Sequence, residues 1–274
     1  MSHKNPVRNV LKKIPPVYWL AGWVNYSKFH KRLNVANAAY AMDEKKITPP
    51  PMLRYRVHRA LDEKSYLVSG EYLSKVILEQ IKAANTLTEG LKVLDFACGP
   101  GRVATQIKDK LGNCELYGSD IDEEAIKWAS TNKTDTAQFS ANKENPPTKY
   151  DDNFFDVIYS ISLFTHLDEN YQNDWLKEIR RILKPNGIFI TTVHGSFCRD
   201  TCSPEELSLL ASRGFAFRVD HVGRFKIDGL PDFYQTTFHT KDYVEKNWSA
   251  YFKVENYLEG GVHGHHDLIT LRKP

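Results

Sequence analysis

The segment best equipped for chemistry is VLDFACGPGRVA, residues 93 to 104. Asp95 lies within an otherwise apolar run. Gly99 and Gly101 follow this run, and a helical pattern begins after them. Glycines at such a turn let the backbone pass close to a ligand, and the amino end of a helix adds partial positive charge. GPGRVA also fits the dinucleotide-binding pattern GxGxxA, with Asp120 nineteen residues beyond Gly101. The segment therefore predicts a nucleotide-like ligand.

The position of Asp95 argues against a pyrophosphate group in that ligand. Asp95 stands four residues before the first glycine, where its negative charge would repel a pyrophosphate and attract a cation. The loop therefore favours a nucleoside ligand that carries positive charge.

The loop and three later segments resemble the class I methyltransferases that use S-adenosylmethionine, over roughly residues 60 to 272. The family's acidic-x-Gly-x-Gly-x-Gly loop is matched by Asp95, Ala97, Gly99 and Gly101, with alanine in place of the first glycine. Alanine still leaves room for the ligand, so the substitution is mild. The later segments are YGSDID with SAN, then FFDVIYSISLFTHL, then IRRILKPNGIF.

The resemblance implies a set of cofactor contacts at the strand ends. Asp120 would accept hydrogen bonds from both ribose hydroxyls, because a carboxylate has two acceptor oxygens. Asn142 would accept a bond from the adenine amino group, and Tyr66 stands where many members place an aromatic residue near the methionine end. The implied cofactor-binding residues are Asp95, Ala97, Gly99, Gly101, Asp120, Ile121, Asn142, Ser160 and Tyr66. Asp95 as a helix cap stays open as an alternative, and Asp122 is predicted to be a helix cap.

His166 is the candidate general base. It follows the fourth predicted strand, and open parallel sheets bind ligands beyond the carboxyl ends of their strands. An ordinary pKa near 6.5 would suit proton removal from an alcohol or amine acceptor. The alternative is that His166 caps the turn, and Glu169 and Tyr171 are close enough in sequence to share the role.

Residues 196 to 239 form an insertion between the fifth strand and the helix predicted near 240 to 248. Its place after a central strand predicts a lid over the substrate site, with a short amphipathic helix after Ser203 and Pro204. Tyr234 and His239 are the candidate substrate contacts, with the lid's own core as the alternative. A cluster of three arginines could bind an anionic substrate, and the alternative is that it forms a solvated face. These residues are Arg54, Arg56 and Arg59.

The first fifty residues differ in charge from the rest of the chain. They carry nine Lys or Arg and two acidic residues, a net of +7, so the other 224 residues carry −4 of the total of +3. Apolar positions from Tyr26 to Tyr40 recur every three or four residues and predict a helix that ends before Pro49. Packing of this helix on the main domain, a homodimer contact, and peripheral membrane contact through residues 12–32 all stay open.

The overall composition excludes several classes of protein. A net charge of +3 gives no reason to expect nucleic acid as a partner. No apolar run is long enough to cross a membrane and the start lacks a signal peptide, so a soluble cytoplasmic protein is expected. The four cysteines are too scattered for a disulfide framework. Cys198 and Cys202 lack a second pair at zinc-finger spacing, and the histidines at 263, 265 and 266 are assigned to a hairpin, so no metal is expected.

These observations predict the fold class α/β, with a Rossmann-like seven-stranded mixed sheet, an antiparallel last strand and helices on both faces. An N-terminal helical extension would cover residues 1–59, and the methyltransferase domain residues 60–274. The function expected from the resemblance is methyl transfer from S-adenosylmethionine to an oxygen or nitrogen of a small-molecule acceptor. The alternatives are a protein or nucleic-acid methyltransferase, or a protein that binds the cofactor without turnover.

Overall fold

Nine strands carry the architecture of the computed structural model, which describes residues 15–86, 89–220, 222 and 226–274. In chain order the strands are β1 Leu91–Phe96, β2 Cys114–Asp120, β3 Gln138–Ala141, β4 Phe155–Ser160, β5 Leu183–Val193, β6 Phe215–Arg218, β7 Thr236–His239, β8 Lys253–Val262 and β9 His266–Arg272. Seven of them form one sheet in the order β3-β2-β1-β4-β5-β9-β8, and β6 pairs with β7 in a separate hairpin sheet.

The seven-stranded sheet is mixed, as the sequence predicts. Strands β1 to β5 run parallel, whereas β9 is antiparallel to both β5 and β8. The antiparallel last strand therefore lies inside the sheet and not at its edge. The reversal of strand order between β1 and β4 leaves a crevice at their carboxyl ends, where open α/β sheets bind ligands.

Helices cover both faces of this sheet. They are α1 Pro15–Met42, α2 Pro51–His58, α3 Glu63–Ala83, α4 Ala104–Leu111, α5 Glu123–Asn132, α6 Glu169–Ile182, α7 Pro204–Arg213 and α8 Lys241–Asn247. Successive strand residues point to opposite faces, so Val93 packs with Ile77 and Ile107 on one side, and Leu94 packs with Trp175 and Ile179 on the other. One apolar core therefore packs on each face of the sheet, and together they fix the positions of the strand ends.

The N-terminal helix packs through its second half. Phe29 and Leu33 are buried against Leu61, in contact with Tyr55 of α2 and Ile227 of the insertion. The helix ends at Met42, earlier than the prolines, and Pro51 opens α2 because proline fits the first helical turn. Residues 12–14 of the proposed membrane contact lie outside the described residues. None of the described helices is long and apolar enough to cross a membrane.

The insertion contains the predicted amphipathic helix. Helix α7 begins at Pro204 with a capping box, in which the Glu206 amide donates to Ser203 Oγ and the Ser203 amide donates to the Glu206 carboxylate. Strand β7 then joins the insertion to the sheet, because the amide of Thr237 donates to the carbonyl of Thr165. Residues 221 and 223–225 of the insertion lie outside the described residues.

Candidate active site

The glycine loop between β1 and α4 adopts a left-handed backbone at three positions. The φ angles are 62° at Ala97, 53° at Gly99 and 80° at Gly101. A Cβ atom added to Gly99 would lie 2.4 Å from a methyl group of Val57, so helix α2 packs directly on the loop. Left-handed backbone costs a non-glycine residue about 1 to 2 kcal/mol. Ala97 therefore carries a strain that the family's usual glycine avoids.

Asp120 fixes the loop from the end of β2. Its Oδ2 accepts a hydrogen bond from the Gly99 amide at 2.6 Å, and its Oδ1 accepts one from the Asp122 amide at 2.8 Å. Each carboxylate oxygen keeps a second lone pair, and Asp120 lines the pocket above the strand ends. Asp122 instead caps α5 by accepting from the amides of Glu124 and Ala125, which is the role expected for it.

Asp95 and Arg102 place opposite charges in the same pocket. Burial raises the pKa of Asp95 to about 7, against smaller opposing effects of the nearby Tyr159 hydroxyl, the Arg102 guanidinium and the Ala104 amide. Asp95 Oδ2 and Arg102 Nε are both buried and have no hydrogen-bond partner among the described residues. Buried polar atoms are normally paired, so this pair is suited to a ligand that carries both a cationic and an anionic group.

The end of β3 supplies the far wall of the pocket. Asn142 and Ile121 both line it. The side-chain oxygen of Asn142 accepts a hydrogen bond from the Ser119 hydroxyl at 2.8 Å, which fixes the orientation of the amide. A carbonyl-type oxygen has two lone pairs, so Asn142 can accept a further bond from a ligand amino group.

His166 and Tyr234 form a stacked pair at the acceptor end of the pocket. Their ring centroids are 4.2 Å apart, and the Tyr234 hydroxyl donates to the Ser162 carbonyl at 3.1 Å. Nδ1 of His166 faces the Gln235 carbonyl, so Nδ1 carries the proton and Nε2 is left as an acceptor. Burial lowers the pKa of His166 to about 3. The imidazole is therefore neutral, and the ordinary pKa expected from the sequence is wrong.

Four of the predicted site residues do not line the pocket among the described residues. Gly101 turns the loop behind it, close to the ring of Phe139. Ser160 and Tyr66 are buried, and burial raises the pKa of Tyr66 well above its ordinary value. His239 lies in the core, where its Nε2 is 3.0 Å from the side-chain oxygen of Gln172. This position corresponds to the alternative given for His239, a place in the core, and not to the predicted substrate contact.

The three arginines considered for an anionic substrate all have partners within the chain. Arg54 is buried and donates to Thr48 Oγ1. Arg56 pairs with Asp122 at 2.9 Å and with Glu124, while Arg59 pairs with Asp228 of the insertion at 2.5 Å. Arg56 and Arg59 nevertheless line the pocket, so they connect α2 to the insertion across it.

Some pocket residues escaped the sequence analysis. Arg102 follows Gly101 directly in the glycine loop, and that position is the signal that would have identified it. Trp175, Leu230 and Pro231 have no such signal, because they reach the pocket only through tertiary packing.

Comparison with known proteins agrees with this geometry. Residues 94–191 match the family model described as a methyltransferase domain. The solved structure of an S-adenosylmethionine-dependent methyltransferase from Methanosarcina mazei superposes with a TM-score of 0.51, at 19% identity, over 70% of this chain and 96% of that chain. The chain carries a class I methyltransferase domain. The strand order of the sheet and the glycine loop after β1 are thus both features of the class I methyltransferase fold.

Curated relatives of this methyltransferase domain differ in their described activities. The chain is 30% identical to a putative methyltransferase, YqeM, of Bacillus subtilis over 41% of its own length and 46% of that protein. It is also 30% identical to the human mitochondrial arginine-hydroxylase NDUFAF5, over 61% of its length and 48% of that protein. The chain thus spans about half the length of these relatives. Their activities differ, so family membership leaves the acceptor open.

The pocket of the methyltransferase domain fits S-adenosylmethionine, the cofactor of this family. Asp95 and Arg102 offer unpartnered atoms of opposite charge to an amino-acid group. Asp120 offers lone pairs to a diol, and Asn142 offers one to an amine. Asp95 and Arg102 would hold the methionine part of the cofactor, Asp120 the ribose and Asn142 the adenine.

We expect cofactor affinity to rise with pH because of Asp95. Its raised pKa of about 7 means that the carboxyl is largely neutral in acid, whereas a cationic ligand requires the ionised form. Affinity should therefore increase by up to about tenfold per unit between about pH 5.5 and 7, then level off. Calorimetry in this range would measure it, and Asp95→Asn should give weaker, pH-independent binding. A flat profile for the unsubstituted protein would contradict the role of Asp95.

Proposed function

We propose that this protein transfers a methyl group from S-adenosylmethionine to an oxygen or nitrogen atom of a small-molecule acceptor. The observation that carries the proposal is a single pocket shared by the glycine loop and the insertion. Asp95, Asp120 and Asn142 near the strand ends and Phe233 and Tyr234 of the insertion all line it. A pocket that combines polar groups suited to the cofactor with aromatic side chains suits two bound molecules whose reacting atoms meet inside it.

The covering of the pocket favours a small acceptor. Leu230, Pro231, Phe233 and Tyr234 of the insertion line the pocket together with Leu163, which follows β4, and Trp175 of α6. The insertion is fixed there by backbone hydrogen bonds, since the Gln235 amide donates to the His166 carbonyl at 2.9 Å. A long polymer would have to displace this cover. The surplus of acidic charge outside the first fifty residues also disfavours a nucleic acid.

His166 and the insertion residues beside it position the acceptor. When bound, the cofactor supplies an electrophilic methyl group on a sulfonium ion. Tyr234 holds the His166 ring in place by stacking, and the Gln235 carbonyl fixes its tautomer. The free Nε2 of His166 can then accept a hydrogen bond from an acceptor hydroxyl or amine and orient its lone pair. The apolar cover excludes water from the same space.

The arginine pairs argue for an uncharged acceptor. Arg56 and Arg59 line the pocket beside the insertion, and both are paired with carboxylates of the chain. Binding an anion at these guanidinium groups would require breaking those pairs. A neutral hydroxyl or amine acceptor with an apolar body meets no such cost.

Two measurements test the proposal. Calorimetry should detect binding of S-adenosylmethionine and none of NAD, because Asp95 opposes a pyrophosphate. A cell extract should then be separated into small-molecule, protein and nucleic-acid fractions, and each incubated with protein and cofactor. We expect S-adenosylhomocysteine to accumulate with the small-molecule fraction. Accumulation only with the protein or nucleic-acid fraction would assign a macromolecular acceptor, and binding without product in any fraction would support a non-catalytic role.

A further inference from the structure

Three side chains with metal-binding atoms meet beside the pocket, although they are far apart in sequence. His194 directly follows β5, Cys198 lies in the short 3-10 helix Ser196–Thr201, and His265 lies in the turn between β8 and β9. One ligand atom from each lies within 4.8 Å of the others. Three separate segments of the fold therefore converge on one point.

The His194 ring is oriented as a metal ligand would be. Its Nδ1 lies 3.0 Å from the Thr237 carbonyl oxygen, and a carbonyl only accepts hydrogen bonds, so Nδ1 carries the proton. Nε2 then keeps its lone pair. Histidine ligands of metals commonly donate their other N–H to a backbone carbonyl, which fixes the tautomer and the ring direction.

The Cys198 thiol lies at a suitable distance from the second histidine. Sγ is 3.7 Å from Nε2 of His265 and 3.8 Å from its Nδ1. Tetrahedral zinc with Zn–S near 2.3 Å and Zn–N near 2.0 to 2.1 Å holds such ligand atoms about 3.5 Å apart. Cys198 is buried whereas His265 is exposed. One side of the cluster therefore faces protein and the other faces solvent.

The segments around the cluster are held rigidly against each other. A Cβ atom at Gly195 would lie only 1.7 Å from Oδ2 of Asp267, so only glycine allows this approach. Asp267 in turn accepts hydrogen bonds from the Tyr257 hydroxyl at 2.7 Å and from the Gly260 amide at 2.8 Å. The ligands flank this contact, so little backbone movement is required to bring them to coordination distance.

We propose that His194, Cys198 and His265 bind one zinc ion, with water in the fourth position. Two imidazoles and one thiolate are ligands that zinc favours, and three protein ligands leave one position open. Cys198 loses its thiol proton to solvent when the Zn–S bond forms. The ion ties the first turn of the insertion to the β8–β9 hairpin. Its binding thus fixes where the cover over the pocket begins, independently of which acceptor is methylated.

Cobalt titration of the full chain, stripped with a chelator, tests this site. We expect a single equivalent of Co²⁺ to give a thiolate-to-metal charge-transfer band, and Zn²⁺ to abolish that band by displacement. Cys198→Ser should lose the band and bind Co²⁺ at least about tenfold more weakly. Cys202→Ser, four residues along the same segment, is the matched control and should behave like the unsubstituted protein.

The exposed ligand provides a variant that spares the fold. His265→Ala removes a solvent-facing side chain, so the variant should fold and yet lose at least about tenfold in affinity. Zinc should also raise the midpoint of thermal unfolding of the unsubstituted protein and not that of His265→Ala. Absence of a charge-transfer band at saturating Co²⁺, or equal Co²⁺ affinity in the His265→Ala variant, would overturn the proposal.

Discussion

Replacing Asp120 with alanine should weaken S-adenosylmethionine binding by about 1.5 to 3 kcal/mol, or roughly 10- to 150-fold. The variant loses the carboxylate that faces the pocket and that also accepts the Gly99 and Asp122 amides. Both losses act on the cofactor, one through the ribose contacts and the other through the shape of the glycine loop. Calorimetry gives the dissociation constant, and thermal unfolding establishes that the variant is folded.

Asp122→Asn provides the matched control for this experiment. It removes one negative charge two residues further along, and the asparagine oxygen can still cap α5. We expect its cofactor affinity to stay within about threefold of the unsubstituted protein, because the Asp122 side chain is already bonded to the α5 amides and to Arg56, and the asparagine side-chain oxygen can still accept those bonds. An unchanged dissociation constant in folded Asp120→Ala would show that this carboxylate does not bind the ribose.

Replacing Tyr234 with alanine should lower turnover of the acceptor by about a hundredfold and leave cofactor affinity within about threefold. The ring that holds His166 would be lost, whereas Asp95 and Asp120 would stay in place. Tyr234→Phe keeps the stacking and loses only the hydrogen bond to Ser162, so it should retain most of the activity. The assay is S-adenosylhomocysteine release with the small-molecule fraction that supports turnover.

His166→Ala should cause a loss of similar size, because loss of a group that orients the acceptor can cost about a hundredfold. The unsubstituted enzyme should show no ionisation of His166 between about pH 5 and 8, since burial lowers its pKa to about 3. A group with a lowered pKa is neutral above that value, so protonation would inactivate it only in strong acid. A loss below about tenfold would mean that His166 is structural.

The sheet was predictable because its central strands are apolar runs separated by helix-length segments with regular spacing. Strands buried on both faces need such runs, and β1, β2, β4 and β5 follow the predicted order. The hairpin of β6 and β7 was not predicted. Each of its strands has four residues, too short to distinguish by periodicity from a loop. Its pairing depends on the sheet behind it.

Within the site, residues that belong to the glycine loop and the strand ends could be identified, because local sequence fixes their backbone. Residues that reach the site only through tertiary packing could not be identified from the sequence. Tyr234 and His239 lie five residues apart in one aromatic segment, yet one faces the pocket and the other pairs with Gln172 in the core. No pattern in the segment separates them, because the direction of each side chain is set by how β7 docks on the Thr165 turn.

The position of β9 inside the sheet affects how the chain folds as it is synthesised. Strands β1 to β5 can leave the ribosome before residues 266–272 exist, and until then the edge of β5 that pairs with β9 has no partner. Unpaired strand edges pair readily with other chains. A nascent chain therefore passes through a stage in which this edge of β5 is open. During that stage, a chaperone that covers the edge would protect the chain from aggregation.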